Sequence, residues 1–149
     1  MKKFILFILL VGIAGGAAYY FFVYKKHNAP LDVQMYVKAL DKALKSYALA
    51  DNGAMTYTET SLENKNVVCT IVVKEDPGMT LKEQHEMTGF DVESEKETMI
   101  TILAALPSEL KSTAFKAFRN NEFNIIFRLT GNVSQEHVDI IIQYNEIPE

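Results

Sequence analysis

One cysteine in 149 residues, Cys69, excludes an intrachain disulfide framework and any cysteine-rich metal module. The three histidines, His27, His85 and His137, stand far apart, so a histidine-rich metal tract is excluded too. His85 lies in QHEMTG, which lacks the second histidine of a helical zinc motif. There is no glycine-rich phosphate loop, no nucleophile elbow, no internal repeat and no low-complexity tract. The acidic run DVESEKE holds Asp91, Glu93, Glu95 and Glu97. It lacks the central glycine of a calcium loop, and Ile102 stands where the closing glutamate belongs. These carboxylates read instead as complements to the positive end of a helix. No catalytic residue, metal ligand or cofactor is expected on these grounds.

A basic excess is missing as well. Of the 15 basic residues, Lys2, Lys3, Lys25 and Lys26 flank the N-terminal segment, and the other 11 face all 19 acidic residues. A domain this acidic repels phosphate backbones, which argues against nucleic-acid binding. Apart from the Lys25-Lys26 collar, it also disfavours docking on anionic lipid.

What is present is a long apolar run. Phe4 to Tyr24 carries no charge and is closed on both sides by lysine pairs. As a helix it would measure about 31 Å, against a hydrocarbon core of about 30 Å. Tyr19, Tyr20 and Tyr24 would sit at the outgoing interface, where an aromatic ring with a polar tip is stable. Residues 1–24 are therefore expected to be a transmembrane signal-anchor, in contact with membrane lipid through residues 4–24. Residues 25–30 would form a joint, and residues 31–149 a soluble domain. With only a three-residue tail ahead of the segment, the domain is expected outside the cytoplasm, on the inner membrane of a bacterial envelope. The competing reading is a cleaved signal peptide with its cleavage site in Gly15-Gly16-Ala17-Ala18, which would release a secreted or periplasmic protein. The continued apolar stretch Tyr19 to Tyr24 argues against cleavage, and no cysteine is placed for a lipoprotein anchor. Gly12 and Gly16 have the spacing that lets membrane helices approach closely, so self-association through that face is a further expectation.

The soluble part reads as helix, hairpin, helices, hairpin. Val33, Tyr36, Leu40, Ala43 and Tyr47 form an apolar stripe on a helix of about 18 residues, ended by Asp51-Asn52-Gly53. Val67 to Lys74 is a β-branched strand, preceded by a weaker one at Met55 to Leu62 and a turn at Glu63 to Asn66. With Val67, Cys69, Ile71 and Val73 inward, Tyr57 joins them only if the loop has three residues, with a bulge. Otherwise Thr56, Thr58 and Thr60 face inward. The larger apolar area of Tyr57 favours the bulge. Asp76-Pro77-Gly78 is a turn. Thr80 with Glu83 has capping-box spacing, opening a short helix that ends at Gly89, and Ser94 with Glu97 repeats it. Met99, Ile100, Leu103 and Leu106 share one side of the second helix. Pro107 breaks it, Ser108 caps a second piece, and Leu110, Ala114, Phe115 and Phe118 extend the face.

The last hairpin is the clearest pattern. Pairing Leu129 with Val138 sets Phe127 opposite Ile140, Ile125 opposite Ile142 and Phe123 opposite Tyr144 on the inner face. The same register sets Arg128 opposite Asp139, Asn124 opposite Gln143 and Ile126 opposite Ile141 on the outer face. The expected architecture is a two-layer α+β domain, with helices packed on a four-stranded antiparallel sheet. An N-terminal apolar helix feeding such a sheet resembles a type IV pilin. However, no glycine precedes Phe4, no glutamate lies inside the apolar run, and Pro30 interrupts the helix, so membership is not expected. Ile126 and Ile141, rimmed by Arg128 and Asp139, are the candidate partner-binding residues. The expected function is that of a non-enzymatic, membrane-anchored accessory or assembly protein whose partner is another envelope protein. A small-ligand or lipid-binding domain, with its pocket between sheet and helices, is the alternative.

Overall fold

The computed structural model describes residues 32–46 and 53–149. The expected anchor, its Gly12 and Gly16 pair, the joint 25–30 and the helical position Tyr47 lie outside the described residues. From Val33 to Glu149 the chain forms one α+β unit with a four-stranded sheet. Among the described residues, no helix is long and apolar enough to cross a membrane.

Helix α1 (Val33–Ser46) buries Val37, Leu40 and Leu44. These recur at three- and four-residue spacing, so the helix is amphipathic as expected, but the stripe is rotated. Val33, Tyr36 and Ala43 are only partly buried at its flank. Tyr36 lies there because its ring meets Phe118 edge-on, at a centroid distance of 6.4 Å.

Strands β1 (Met55–Glu63) and β2 (Asn66–Val73) form an antiparallel hairpin. Its loop is the two residues Asn64 and Lys65, with Asn64 in the left-handed region at φ 56°. The expected three-residue loop is not what the chain uses. The bulge lies inside β1 at Thr58, where the register shifts between Tyr57–Ile71 and Glu59–Thr70. One extra residue reverses the parity of everything beyond it. Leu62 and Thr60 therefore face Val67 and Cys69 near the turn, and Tyr57 still turns inward beyond the bulge.

Helix α2 (Leu81–Thr88) carries the full capping box of Thr80 and Glu83 and ends at Gly89, whose φ of 69° suits a residue without a Cβ. Helix α3 (Val92–Ala105) starts earlier than the Ser94–Glu97 spacing implied. Asp91 is its N-cap and accepts from Ser94 N at 3.0 Å. Aspartate is as good a cap as serine, and it stands closer to the first turn. Leu106 is held extended ahead of Pro107, which ends the helix. The next segment is a short α4 (Ser108–Leu110), a π-helical turn (Lys111–Phe115) and α5 (Lys116–Asn120). Pro107, not Ser108, is the residue before its first turn, and no side chain caps it. The wider π turn lets Ala114 and Phe115 both enter the core alongside Leu110 and Phe118.

Strands β3 (Asn124–Gly131) and β4 (His137–Ile142) pair in the expected register from Ile125–Ile142 to Leu129–Val138. The ends differ. The chain leaves the sheet after Ile142 into a 3-10 turn (Tyr144–Glu146), so Tyr144 is exposed and does not oppose Phe123. Asn124 does not pair with Gln143; its side chain donates to Asn66 Oδ1 and accepts from Tyr144 N. Ile147 enters the core instead, 3% exposed, while Arg119 donates to the carbonyls of Ile147 and Pro148.

The sheet order is β1-β2-β3-β4, and its middle pair, β2 with β3, is parallel. The expectation of an antiparallel sheet is wrong at this one interface. The helices of residues 74–123 return the chain to the end of the sheet where β2 began, so β3 must run the same way. The core lies between the inner sheet face and the helices. Phe115, Phe118, Phe127, Leu40, Leu44, Leu103, Ile125 and Ile140 are among its fully buried members.

Candidate interaction surface

The inner sheet residues are consumed by the core, so any recognition surface on the sheet lies on the other face. There the pairing aligns Ser61, Val68, Ile126 and Ile141 in one row across all four strands. The next row is Glu59, Thr70, Arg128 and Asp139. Arg128 grips Asp139 through two parallel bonds, Nε to Oδ1 at 2.8 Å and Nη2 to Oδ2 at 3.0 Å. Its Nη1 reaches Glu63 Oε1, two strands away, at 3.0 Å. That bond links β3 to β1 across β2. The bond to Asp139 raises the Arg128 pKa first, burial opposes it, and the Glu63 bond adds to the rise.

All four expected site residues are thus brought together. The Ile126–Ile141 pair is unequal, however. Ile126 is 6% exposed and Ile141 is 47% exposed. Only Ile141, on the edge strand, presents apolar surface; Ile126 sits beneath its neighbours. Sequence reasoning missed Val68 and Glu63. Val68 was legible in principle, because VVCTIVV is apolar on both faces of the strand, as a central strand is. Glu63 was not, because its approach to Arg128 depends on which hairpin strands lie side by side.

A second cluster joins α1 to the bulge. Tyr57 donates its hydroxyl proton to Asp41 Oδ1 at 2.6 Å, and Thr60 N donates to the same oxygen at 2.9 Å. The hydroxyls of Tyr57 and Thr60 are 2.5 Å apart, and Thr60 Oγ1 lies 3.6 Å from Cys69 Sγ. Asp41 therefore holds both sides of the bulge. Burial would raise its pKa, but the bonds from Lys45, Tyr57 and Thr60 prevail and lower it. Burial first, then the neighbouring Asp41 carboxylate, raises the Tyr57 pKa. Burial pushes the Cys69 thiol up to about 12, so it stays protonated at neutral pH and is a poor nucleophile. Asp41→Ala is expected to cost about 1–3 kcal/mol, because it leaves the Thr60 N–H without its acceptor and reduces the Tyr57 hydroxyl to its contact with Thr60 Oγ1. Urea unfolding with an unchanged slope checks this.

The third cluster surrounds Glu75, a buried carboxylate at the exit of β2. It accepts from Leu81 N at 2.7 Å, Val133 N at 2.7 Å and Ser134 N at 2.8 Å, and from the Ser134 hydroxyl. Asn132 Oδ1 in turn accepts from Glu75 N at 2.9 Å. The Ser134 hydroxyl, with the backbone N–H groups, outweighs burial and holds the carboxyl at about 2. This explains Asn132-Val133-Ser134, which reads as a glycosylation sequon. Each of its residues binds Glu75, so the β3–β4 turn is tied to the start of α2. Gly131 is required beside it, since a Cβ there would lie 2.6 Å from Glu75 Cδ and 2.7 Å from Ser134 Oγ.

The His85 ring stacks on Phe90, with centroids 4.0 Å apart, across the α2 C-cap. Burial lowers its pKa, and Glu95 opposes that. Among the described residues, no cluster of His, Cys, Asp or Glu is placed to hold a metal ion. Surface hollows lie at helix ends. One of about 450 Å³ separates Ala39, Ala43 and Ser46 of α1 from Pro107, Leu110 and Thr113. Another, of about 340 Å³, is lined by Met55, His85, Phe90, Ser94 and Glu95. No known family model, curated protein or solved structure matches this chain.

Proposed function

We propose that this protein is a membrane-anchored, extracytoplasmic accessory or assembly protein that works by protein–protein contact. The uncharged run Phe4–Tyr24 would hold it at an inner membrane of a bacterial envelope. Tethering raises effective concentration near other membrane components, so a modest contact surface is sufficient. The observation that carries the reading is the outer sheet face. Ile141 is exposed beside the ordered Arg128–Asp139 and Arg128–Glu63 pairs, an apolar contact rimmed by fixed charges. The ligand-binding alternative calls for a cavity between sheet and helices. That space is occupied by Leu40, Leu103, Phe115, Phe127 and Ile140, each 0% exposed.

The test is affinity purification from detergent-solubilised membranes with mass spectrometry, comparing the native chain with Ile141→Asp. Ile126 is unsuitable for substitution because it is buried. The native chain should recover a defined envelope protein that the Ile141→Asp chain loses at least tenfold, while the variant melts within a few degrees of the native protein. Equal recovery by both chains would remove the outer face from consideration. The same spectra report whether residues 1–24 are retained.

A further inference from the structure

We propose that the free edge of β4 pairs with β4 of a second copy, antiparallel, joining two sheets into one. The hydrogen-bond phase of the hairpin shows which groups are available. Gly131 N donates to Glu136 O at 2.9 Å, closing the hairpin with a bonded pair. Alternation then makes Leu129–Val138, Phe127–Ile140 and Ile125–Ile142 the bonded pairs. The N–H and C=O groups of His137, Asp139 and Ile141 therefore point away from β3, along an edge that no other described strand covers.

The two edges of the sheet are treated differently. β1 is bent by its bulge at Thr58, and Asp41 of α1 occupies the N–H of Thr60. Such devices stop strand addition. β4 has no bulge, no proline and no lysine between His137 and Ile142. Its register against β3 is unbroken, and its one acidic side chain, Asp139, is held by Arg128.

Side-chain complementarity selects the second copy and its register. Because His137, Asp139 and Ile141 carry the free groups, a two-fold pairing must be centred on Val138, Asp139 or Ile140. Centring on Asp139 sets two carboxylates face to face. Centring on Ile140 sets each Asp139 against Ile141. Centring on Val138 places His137 of one copy opposite Asp139 of the other, twice, by symmetry. His137 is exposed and can donate a ring N–H to that carboxylate. This contact uses the strand edge and needs nothing from the Ile141 side chain, but it shares Asp139 with the outer-face rim.

Two variants test it on the full chain in detergent micelles. His137 is the first residue of β4, and its N–H points outward, so H137P removes an edge donor without breaking a β3–β4 bond. V138C places a thiol on the two-fold axis, in a non-bonded pair where Cβ atoms lie closest. Sedimentation should give twice the chain mass for the native protein and the single mass for H137P. In aerated buffer V138C should form a disulfide between copies, dioxygen taking up the two electrons and two protons, whereas S61C on β1 should not. The cross-link does not depend on how well H137P folds. A native protein that stays monomeric at every concentration overturns the proposal. So does a dimer in which V138C fails to cross-link, since that dimer is held elsewhere, for example through the N-terminal segment. Exclusive pairing of the edge with a different polypeptide also overturns it.

Discussion

Phe118→Ala is expected to destabilise the domain by about 3–5 kcal/mol, the usual cost of emptying a buried aromatic site. Phe118 is 0% exposed. Its ring lies 6.4 Å from Tyr36 of α1, 6.5 Å from Phe115 of the π turn and 6.4 Å from Phe123 at the entry to β3. One side chain thus joins the first helix, the last helical segment and the start of the final hairpin. Around it the structure has little freedom to collapse, because α1 is also pinned through Asp41 and the far end of α5 through Arg119. Against a typical total of about 5–15 kcal/mol, the loss is a large fraction of what holds a domain folded. Chemical denaturation should show a lower midpoint with an unchanged slope, and Phe118→Leu should recover most of it. A loss below about 1 kcal/mol would mean that the ring cluster does not carry the packing assigned to it.

Glu75→Gln is expected to lower the melting temperature at neutral pH by several degrees, and to have almost no effect near pH 2. The neutral amide keeps the shape but replaces one acceptor oxygen with a donor. The N–H groups of Leu81, Val133 and Ser134 and the Ser134 hydroxyl all donate, so at least one loses its acceptor. The direction with pH follows from the carboxyl, held at about 2 in the folded protein against 4.5 ordinarily. A carboxyl depressed by folding stabilises the fold fully above its ordinary pKa. It loses that contribution as pH falls from about 4.5 through about 2. Asp41 and Glu146 are also lowered, by Lys45, Tyr57 and Thr60 against burial in the first case and by Lys96 in the second. They titrate in both proteins, so the difference between native and Glu75→Gln melting curves isolates Glu75. That difference should be flat above about pH 5 and should close towards pH 2. A difference that persists unchanged at pH 2 would show that Glu75 acts by shape alone.

The candidate surface was legible in part. Arg128, Asp139, Ile126 and Ile141 belong to one hairpin, and strict alternation within two short strands set their facing pairs. The unequal exposure of the two isoleucines was not legible, because it depends on β3 lying inside the sheet and β4 at its edge, which only the pairing between the two hairpins decides. Glu75 and Asp41 were missed for a similar reason. Asp41 is one acid on an amphipathic helix and Glu75 stands beside Asp76 ahead of a turn, so neither carries a local pattern. What distinguishes them is the set of donors that distant segments bring to them: residues 133 and 134 for Glu75, residues 57 and 60 for Asp41.

The amino-acid pattern by itself determined the elements whose partners are near in sequence. The β3–β4 register follows from period-two alternation, the Thr80 cap from a three-residue spacing, and the end of α3 from the ring of Pro107. Burial of Tyr57 followed from its apolar area. Tertiary structure alone decided the parallel β2–β3 pair, the position of the bulge, the rotation of α1 and the exit of Tyr144 from the sheet. Each of these depends on contacts between segments far apart in the chain, and local periodicity carries no information about which distant surface an element will meet.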